Sequence, residues 1–174
     1  METARQPFDR AVVVWRDFVR PADMDIVRDL CRSSGFFSDE EVTVAVELVE
    51  EFLNKGEASG YNFLFAEVDG QCRGYTCYGR IPFTQHSFDL YWVAVDDSLR
   101  GLGLGKRLVA ETERRIAMAD GRQIYVETSS REQYQPTRKF YDRLGYVREA
   151  VFEDFYAPGD SKVVFVKRNF YQPD

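Results

Sequence analysis

The sequence holds few of the residues that metal sites require. There is one histidine, His86, and there are only three cysteines, Cys31, Cys72 and Cys77, in 174 residues. No two cysteines form a C-x-x-C pair, and three thiols cannot all pair with one another. We therefore expect no metal centre, and we expect reduced thiols buried in the core.

Basic residues and long apolar runs are also scarce. Lys and Arg number 23 against 29 for Asp and Glu, so the net charge is −6 at pH 7, which opposes binding to nucleic acid. No stretch approaches the roughly 20 apolar residues that cross a bilayer, and no apolar signal core follows Met1–Gln6. We therefore expect a cytoplasmic protein without nucleic-acid or membrane partners.

Residue periodicity predicts helices and strands in a single domain over residues 1–174, since the length and the apolar fraction of 44% suit one core. A capping box of Ser38 and Glu41 opens the second helix, and Asp69–Gly70 is a strong hairpin turn. A strand, loop, helix and strand in succession then predict a parallel strand pair. The predicted strands cover residues 11–15, 61–68, 71–79, 88–95, 123–128, 146–156 and 162–170, and the predicted helices open at Pro21, Ser38, Leu104 and Pro136.

The most informative stretch is the glycine-rich run Arg100–Arg107, which reads Arg-Gly-Leu-Gly-Leu-Gly-Lys-Arg and joins a strand to a helix. Glycines let the main chain approach a ligand closely, and unpaired N–H groups at a helix start attract an anion. A P-loop is excluded because only three residues separate Gly101 from Gly105, and Arg107 replaces the magnesium-binding hydroxyl. The even spacing of the glycines also departs from the dinucleotide-binding fingerprint.

The remaining pattern, Arg100-x-x-Gly103-x-Gly105, resembles the coenzyme A pyrophosphate loop of the GNAT superfamily of N-acetyltransferases. The segment Phe140–Tyr146, with Phe-Tyr at its start and Gly-Tyr at its end, is similar to a helix motif of the same superfamily. The order of predicted elements also resembles the GNAT fold over nearly the whole chain. This resemblance implies an α+β fold with a mixed, mostly antiparallel sheet of about six to seven strands, a splayed parallel strand pair and about four helices.

The resemblance implies acetyl-CoA as a co-substrate. In the superfamily the glycine loop holds the pyrophosphate, and the main chain of the preceding strand pairs with the pantetheine arm. An asparagine often contacts that arm as well, and Tyr134 stands near its place here. The residues implied to bind the coenzyme are Val93, Ala94, Val95, Arg100, Gly101, Leu102, Gly103, Leu104, Gly105, Lys106, Tyr134 and Tyr141.

The resemblance also implies catalytic roles. Tyr141 occupies the position of the phenol that protonates the departing thiolate. Asp89 shares a strand face with Val93 and stands in the place of a glutamate base, which is needed because an alkyl ammonium has a pKa of about 10.4. Glu127, at the end of the neighbouring strand, is a competing carboxylate, and the loop residue His86 is a third candidate.

The acidic groups of the predicted site favour a small cationic molecule with a primary amine, which attacks the thioester directly in a ternary complex. Residues 131–136 and 154–160, with Phe36 and Phe37, are candidates to line its pocket. Two alternatives stay open: a module that binds coenzyme A without turnover, and an enzyme that acetylates protein lysines or N-termini. The identity of the acceptor, an acyl chain other than acetyl, and the oligomeric state, including a homodimer, also stay open.

Overall fold

The computed structural model describes residues 12–168 and Phe170, and this part of the chain contains seven strands and four α-helices. The strands are β1 (Val14–Arg16), β2 (Asn62–Val68), β3 (Gln71–Arg80), β4 (Ser87–Val95), β5 (Gln123–Ser129), β6 (Val147–Ala157) and β7 (Asp160–Arg168). The helices are α1 (Asp23–Ser34), α2 (Asp39–Lys55), α3 (Leu104–Met118) and α4 (Gln135–Arg143). Among these described residues, no helix combines the length and the apolarity that crossing a membrane demands.

The strands form one mixed sheet in the order β1-β2-β3-β4-β5-β7-β6. β4 and β5 run parallel, whereas β1 with β2, β2 with β3, β5 with β7 and β6 with β7 run antiparallel. The α+β fold predicted from the sequence, with its parallel strand pair and four helices, is confirmed over the described residues. The first strand begins later than predicted, because its pairing with β2 joins only Val14–Arg16 to residues 65–67, and Ala11 lies outside the described residues.

The chain forms two compact units. Of the described residues, the first contains 12–78 and 92–112, and the second contains 79–91, 113–168 and Phe170. β4 and α3 each contribute residues to both units.

Local signals set the helix and turn boundaries of the first unit. The predicted capping box is confirmed, since Ser38 Oγ accepts from Glu41 N at 3.2 Å and Glu41 Oε2 accepts from Ser38 N at 2.7 Å. Asp69 and Gly70 have φ of 50° and 74°, and two successive positive values are what a tight hairpin turn between β2 and β3 requires.

An unbroken apolar run explains why β2 lies deep in the first unit. Residues 63–66, which are Phe-Leu-Phe-Ala, are all at most 2% exposed, as in a strand covered on both faces. The ring of Phe65 stacks with those of Phe63 and Tyr75, each at a centroid distance of 6.1 Å. The helices α1 and α2 complete this core with Val27, Leu30, Cys31, Val42, Ala45 and Val49.

The three cysteines are free thiols, and two of them, Cys31 and Cys77, are buried as predicted. Cys72 is only half-buried. Burial raises the pKa of the Cys31 thiol and of the Cys72 thiol to about 11 in each case. Both thiols therefore stay protonated near neutral pH, which makes them poor nucleophiles.

In the second unit, β5 pairs with β7 along its whole length. A buried polar group ties α3 to the strands of this unit, because Glu113 accepts a hydrogen bond from the Tyr146 hydroxyl at 3.0 Å. The Lys167 ammonium donates to both oxygens of the same carboxylate at 2.9 Å. These donors compensate a charge that would otherwise be costly to bury.

Gly121 lies where the chain leaves α3 and turns toward β5. A Cβ at this position would lie 2.8 Å from the carbonyl oxygen of Ile116 and 2.9 Å from Cδ2 of Phe88, both inside van der Waals contact. The helix end cannot move easily, since Gly121 N donates to that same oxygen at 2.8 Å. We expect Gly121→Ala to lower the free energy of unfolding by about 2 kcal/mol, measured by urea denaturation. A loss below about 0.5 kcal/mol would show that the turn yields without strain.

Candidate active site

The glycine-rich run forms the start of α3 in the first unit. Gly101 and Gly103 have positive φ of 76° and 97°, which glycine adopts without strain. A Cβ at either position would meet nothing within 4 Å, so the space beside both residues is open. Glycine is favoured there by the main-chain conformation and not by a lack of space. Arg107 N donates to Gly103 O at 3.1 Å and closes the first turn. The N–H groups that precede such a bond at a helix start have no intrahelical partner, and groups of this kind can bind an anion.

Arg100 precedes these glycines, and its side chain is engaged within the first unit. Nη2 donates to the carbonyl oxygen of Ser34 at 2.6 Å, and Nη1 pairs with Asp97 Oδ1 at 3.1 Å. The guanidinium also lies over the ring of Phe36, 4.6 Å from its centroid. The motif predicts Arg100 as part of a phosphate loop, and the structure directs its guanidinium to the C-terminus of α1.

The residues of β4 alternate between a buried and a more exposed face, as the sequence predicts. Phe88, Leu90 and Ala94 are each 3% exposed. The opposite face keeps more contact with solvent and carries Asp89, Tyr91, Val93 and Val95.

The described pairing of β4 with β5 covers the start of both strands. It joins Ser87–Asp89 to Gln123–Tyr125 in parallel register. β4 continues to Val95, and β5 continues to Ser129 in register with β7. The parallel direction of this pair is the one that the sequence predicts.

The structure brings the two predicted carboxylates together in the second unit. Asp89 stands opposite Tyr125, two residues before Glu127, so the side chains of all three lie on one face of the sheet. Burial, and secondly the negative charge of Glu127, raise the pKa of Asp89 to about 6. The charge of Lys162 and a hydrogen bond with Tyr91 oppose this rise. At pH 7 Asp89 is therefore mostly ionised, yet it holds a proton more tightly than an ordinary aspartate.

Lys162 belongs to the same group, and no local sequence signal indicates it. Its Nζ lies 3.2 Å from Glu127 Oε1, and the side chain of Lys162 is 15% exposed against 52% for Glu127. The same Nζ lies 4.0 Å from the ring centroid of Phe155. Lys162 stands opposite Ser129, so its contact with Glu127 follows from the register of β5 and β7. The alternation of residues along the strand predicts the face of the sheet on which Lys162 lies, but it does not predict that Lys162 pairs with Glu127.

Tyr141 packs in the core of the second unit and is 5% exposed. Burial raises the pKa of its hydroxyl well above the ordinary value. The phenol therefore stays protonated near neutral pH. The rings around it are those of Phe140, Tyr146 and Phe165, at centroid distances of 5.3, 5.3 and 5.7 Å.

Two other predicted residues make local contacts. Tyr134 is 6% exposed at the start of α4, and the guanidinium of Arg131 lies 5.5 Å from its ring centroid. His86 Nδ1 lies 2.9 Å from the main-chain oxygen of Asp120 and 3.1 Å from its Oδ2. The imidazole is thus held by the turn that follows α3.

In residues 12–168 and Phe170, no group of three or more His, Cys, Asp and Glu side chains is arranged to hold a metal ion.

The aromatic residues predicted to line an acceptor pocket fall into two groups. In the second unit, Phe155 and Tyr156 are 54% and 48% exposed. In the first unit, Phe36 and Phe37 lie in the connection between α1 and α2, and the ring of Phe37 packs on Trp92 at a centroid distance of 4.9 Å.

Known proteins share sequence with this chain. Residues 59–148 match the family model of the acetyltransferase (GNAT) domain. A 5-NmdU N-acetyltransferase from Pseudomonas phage PaMx11 is 36% identical over 84 residues, which are 47% of this chain and 54% of that protein. The chain thus spans about half the length of this curated relative.

Solved structures extend the similarity to most of the chain. A protein from Desulfovibrio desulfuricans, described as an acetyltransferase of the GNAT family, is 43% identical with a TM-score of 0.88. That similarity covers 90% of this chain and 99% of the other. An aminoglycoside 6'-N-acetyltransferase in complex with coenzyme A shares the fold, with 22% identity and a TM-score of 0.70 over 92% of this chain and 99% of the other.

Proposed function

Because this chain belongs to the acetyltransferase (GNAT) family of acyltransferases, we propose that it transfers an acetyl group from acetyl-CoA to a primary amine. The acceptor is a small cationic molecule, which attacks the thioester directly in a ternary complex. The observation that carries this proposal is the glycine loop, in which Gly101 and Gly103 open α3 with positive φ and leave space for a ligand. The chain acts as one acetyltransferase domain over residues 1–174.

Main-chain groups bind the donor. The main chain after Arg100, residues 101–106, surrounds the pyrophosphate, its N–H groups donate to the phosphate oxygens, and the partial positive charge at the start of α3 adds to the attraction. The loop fits such a group because a Cβ at Gly101 or Gly103 would meet nothing within 4 Å. Residues 93–95 pair with the pantetheine arm as a further strand would, and Tyr134 contacts the same arm.

Asp89 accepts the proton that the acceptor ammonium loses, either directly or through a water molecule. At pH 7 an alkyl amine is almost entirely protonated, since its pKa is about 10.4, and only the neutral amine attacks a thioester. A carboxylate with a pKa of about 6 is a stronger base than an ordinary aspartate and is still ionised at pH 7. Glu127 is the competing base, and its carboxylate is already engaged in an ion pair with Lys162 at 3.2 Å.

Tyr141 donates its proton to the sulfur as the C–S bond breaks. A main-chain N–H of residues 93–95 donates to the oxyanion of the tetrahedral intermediate, in which the new C–N bond has formed. Much of the rate comes from orientation, because an amine and a thioester held side by side react as if they were one molecule.

The charges of the second unit support a cationic acceptor. In this group two carboxylates, those of Asp89 and Glu127, stand with one ammonium, that of Lys162. An ammonium group on the acceptor would complement the second carboxylate. Relatives named for 5-NmdU and for an aminoglycoside supply the first acceptors to try.

The proposal is tested by mixing the protein with saturating acetyl-CoA and a panel of amines, and measuring the free thiol released. The panel contains polyamines, aminoglycosides, 5-NmdU and lysine-containing peptides. We expect thiol release that depends on a small cationic amine. Binding of acetyl-CoA without thiol release from any amine would instead indicate a module that only binds the coenzyme. Labelled protein after incubation with labelled acetyl-CoA and cell lysate would indicate a protein acetyltransferase.

Asp89→Asn is expected to lower the rate about a hundredfold at pH 7 and less at pH 9.5. In the unaltered protein the rate should fall as the pH drops through about 6, where Asp89 takes up a proton. The variant has no carboxylate to titrate, so this inflection should disappear, and its deficit should shrink as more of the amine becomes neutral at high pH. The measurement is thiol release at saturating substrates from pH 5 to 10. An unaltered pH profile would move the base to Glu127 or to water.

The same variant should be more stable than the unaltered protein at pH 7, so unfolding cannot explain its lost activity. A carboxyl whose pKa rises from 3.8 to about 6 on folding opposes folding once it is ionised. This destabilisation is absent below pH 3.8, grows between pH 3.8 and about pH 6, and stays constant at higher pH. We expect the Tm of Asp89→Asn to exceed that of the unaltered protein by about 2–6 °C at pH 7, and the difference to vanish near pH 3.5.

A further inference from the structure

Arg100 caps the C-terminus of α1 from the glycine loop. Its Nη2 donates at 2.6 Å to the carbonyl oxygen of Ser34, the last residue of that helix. Carbonyl groups in the last turn of a helix lack intrahelical partners and carry a partial negative charge, so a cation placed there is stabilising. The two residues are 66 positions apart in sequence, so this contact joins the glycine loop to a distant part of the first unit.

The connection between α1 and α2 is held at both of its phenylalanines. The guanidinium of Arg100 lies over the ring of Phe36, 4.6 Å from its centroid. The ring of Phe37 packs against Trp92 of β4 at 4.9 Å, directly before the residues that we propose to bind the pantetheine arm. The segment of residues 35–38 therefore depends on two groups that lie directly beside the proposed donor site in sequence, Arg100 before the glycines and Trp92 before residues 93–95.

The guanidinium has three partners that a phosphate would have to replace. Besides Ser34 and Phe36, it pairs with Asp97 Oδ1 at 3.1 Å. Turning the side chain toward a pyrophosphate would break all three contacts at once. The combination of a planar face and a forked set of donors is specific to arginine, and lysine cannot reproduce it.

We propose that Arg100 is a positioning residue. When a ligand occupies the glycine loop, Arg100 orders residues 35–38, which include Phe36 and Phe37 of the predicted acceptor pocket. This inference rests on the proposed function, since the ligand of the loop is the pyrophosphate of acetyl-CoA. When phosphate oxygens fix the main chain after Arg100, they also fix the start of its side chain. The guanidinium then holds the Ser34 carbonyl and the Phe36 ring in one arrangement, and the acceptor side becomes ordered once the donor is bound.

The test is hydrogen–deuterium exchange of residues 34–38 with and without saturating coenzyme A. In the unaltered protein we expect coenzyme A to slow this exchange about tenfold. In Arg100→Ala the protection should fall to about twofold or less, while coenzyme A affinity changes about threefold or less. Arg100→Lys should behave like the alanine variant, because it keeps the charge without the fork and the planar face. Arg32→Ala is the matched control, since it removes an exposed arginine from the same end of α1 and should leave the protection intact.

Two results would overturn this proposal while leaving the proposed function in place. One is full protection of residues 34–38 in Arg100→Ala. The other is a loss of coenzyme A affinity beyond about thirtyfold in Arg100→Ala that Arg100→Lys restores, which would make the side chain a phosphate ligand. Absence of coenzyme A binding in the unaltered protein would overturn the proposed function and this inference together.

Discussion

Gly103→Glu is expected to lower the affinity for coenzyme A at least a hundredfold, about 2.7 kcal/mol. Gly103 has φ of 97°, and α3 begins at the next residue. A side chain here would extend into the open space beside the loop, since a Cβ meets nothing within 4 Å. Its carboxylate would compete with phosphate for the same N–H groups and repel the two phosphate charges. Isothermal titration calorimetry with coenzyme A measures the effect.

Two further substitutions at Gly103 separate charge from strain. Gly103→Gln keeps the size of glutamate without its charge, and Gly103→Ala keeps only the backbone strain, which costs about 1–2 kcal/mol of stability at such a φ. We expect the affinity loss to increase from Ala to Gln to Glu, and the difference between Gln and Glu to shrink at high salt. Unchanged affinity in a folded Gly103→Glu protein would refute the phosphate loop.

Elements with local signals could be predicted from the sequence. The capping box of Ser38 and Glu41 and the turn Asp69–Gly70 each involve residues within four positions of one another, and both form as predicted. The period-two pattern of β4 separates a buried from a more exposed face for the same reason. Chain geometry alone determines which neighbours such residues can reach, so no knowledge of tertiary packing is needed.

Contacts between distant segments could not be predicted. Glu127 and Lys162 are 35 positions apart, and their ion pair depends on the register of β5 with β7. The raised pKa of Asp89 likewise depends on burial and on the position of Glu127 in the neighbouring strand. Motif spacing assigns Arg100 to the loop but cannot show that the Ser34 carbonyl attracts its guanidinium. The glycine loop could therefore be located from the sequence, whereas the charges around the candidate base could not be.

Tyr141→Phe is expected to lower turnover about a hundredfold while the affinity for coenzyme A changes less than about threefold. The thiolate needs a proton as the C–S bond breaks, and phenylalanine has none to give. Burial raises the pKa of Tyr141, which by itself would weaken the phenol as an acid. The thiolate of coenzyme A would form in similarly desolvated surroundings. Desolvation raises the pKa of a thiol as well, as burial does for Cys31, so the pKa values of the phenol and of the thiol stay close. Single-turnover thiol release measures the rate, and calorimetry measures the affinity.

Tyr146→Phe is the matched control, because Tyr146 is a second buried tyrosine whose hydroxyl has a structural partner. That hydroxyl donates to Glu113 at 3.0 Å, so its removal should lower the free energy of unfolding by about 1–3 kcal/mol and leave turnover unchanged. Tyr141→Phe should change stability by less than about 0.5 kcal/mol, since the described side-chain contacts of Tyr141 are made by its ring, which phenylalanine keeps. The two variants should therefore show opposite profiles in activity and stability. An unchanged rate in Tyr141→Phe would remove the phenol as the acid and leave protonation of the sulfur to water.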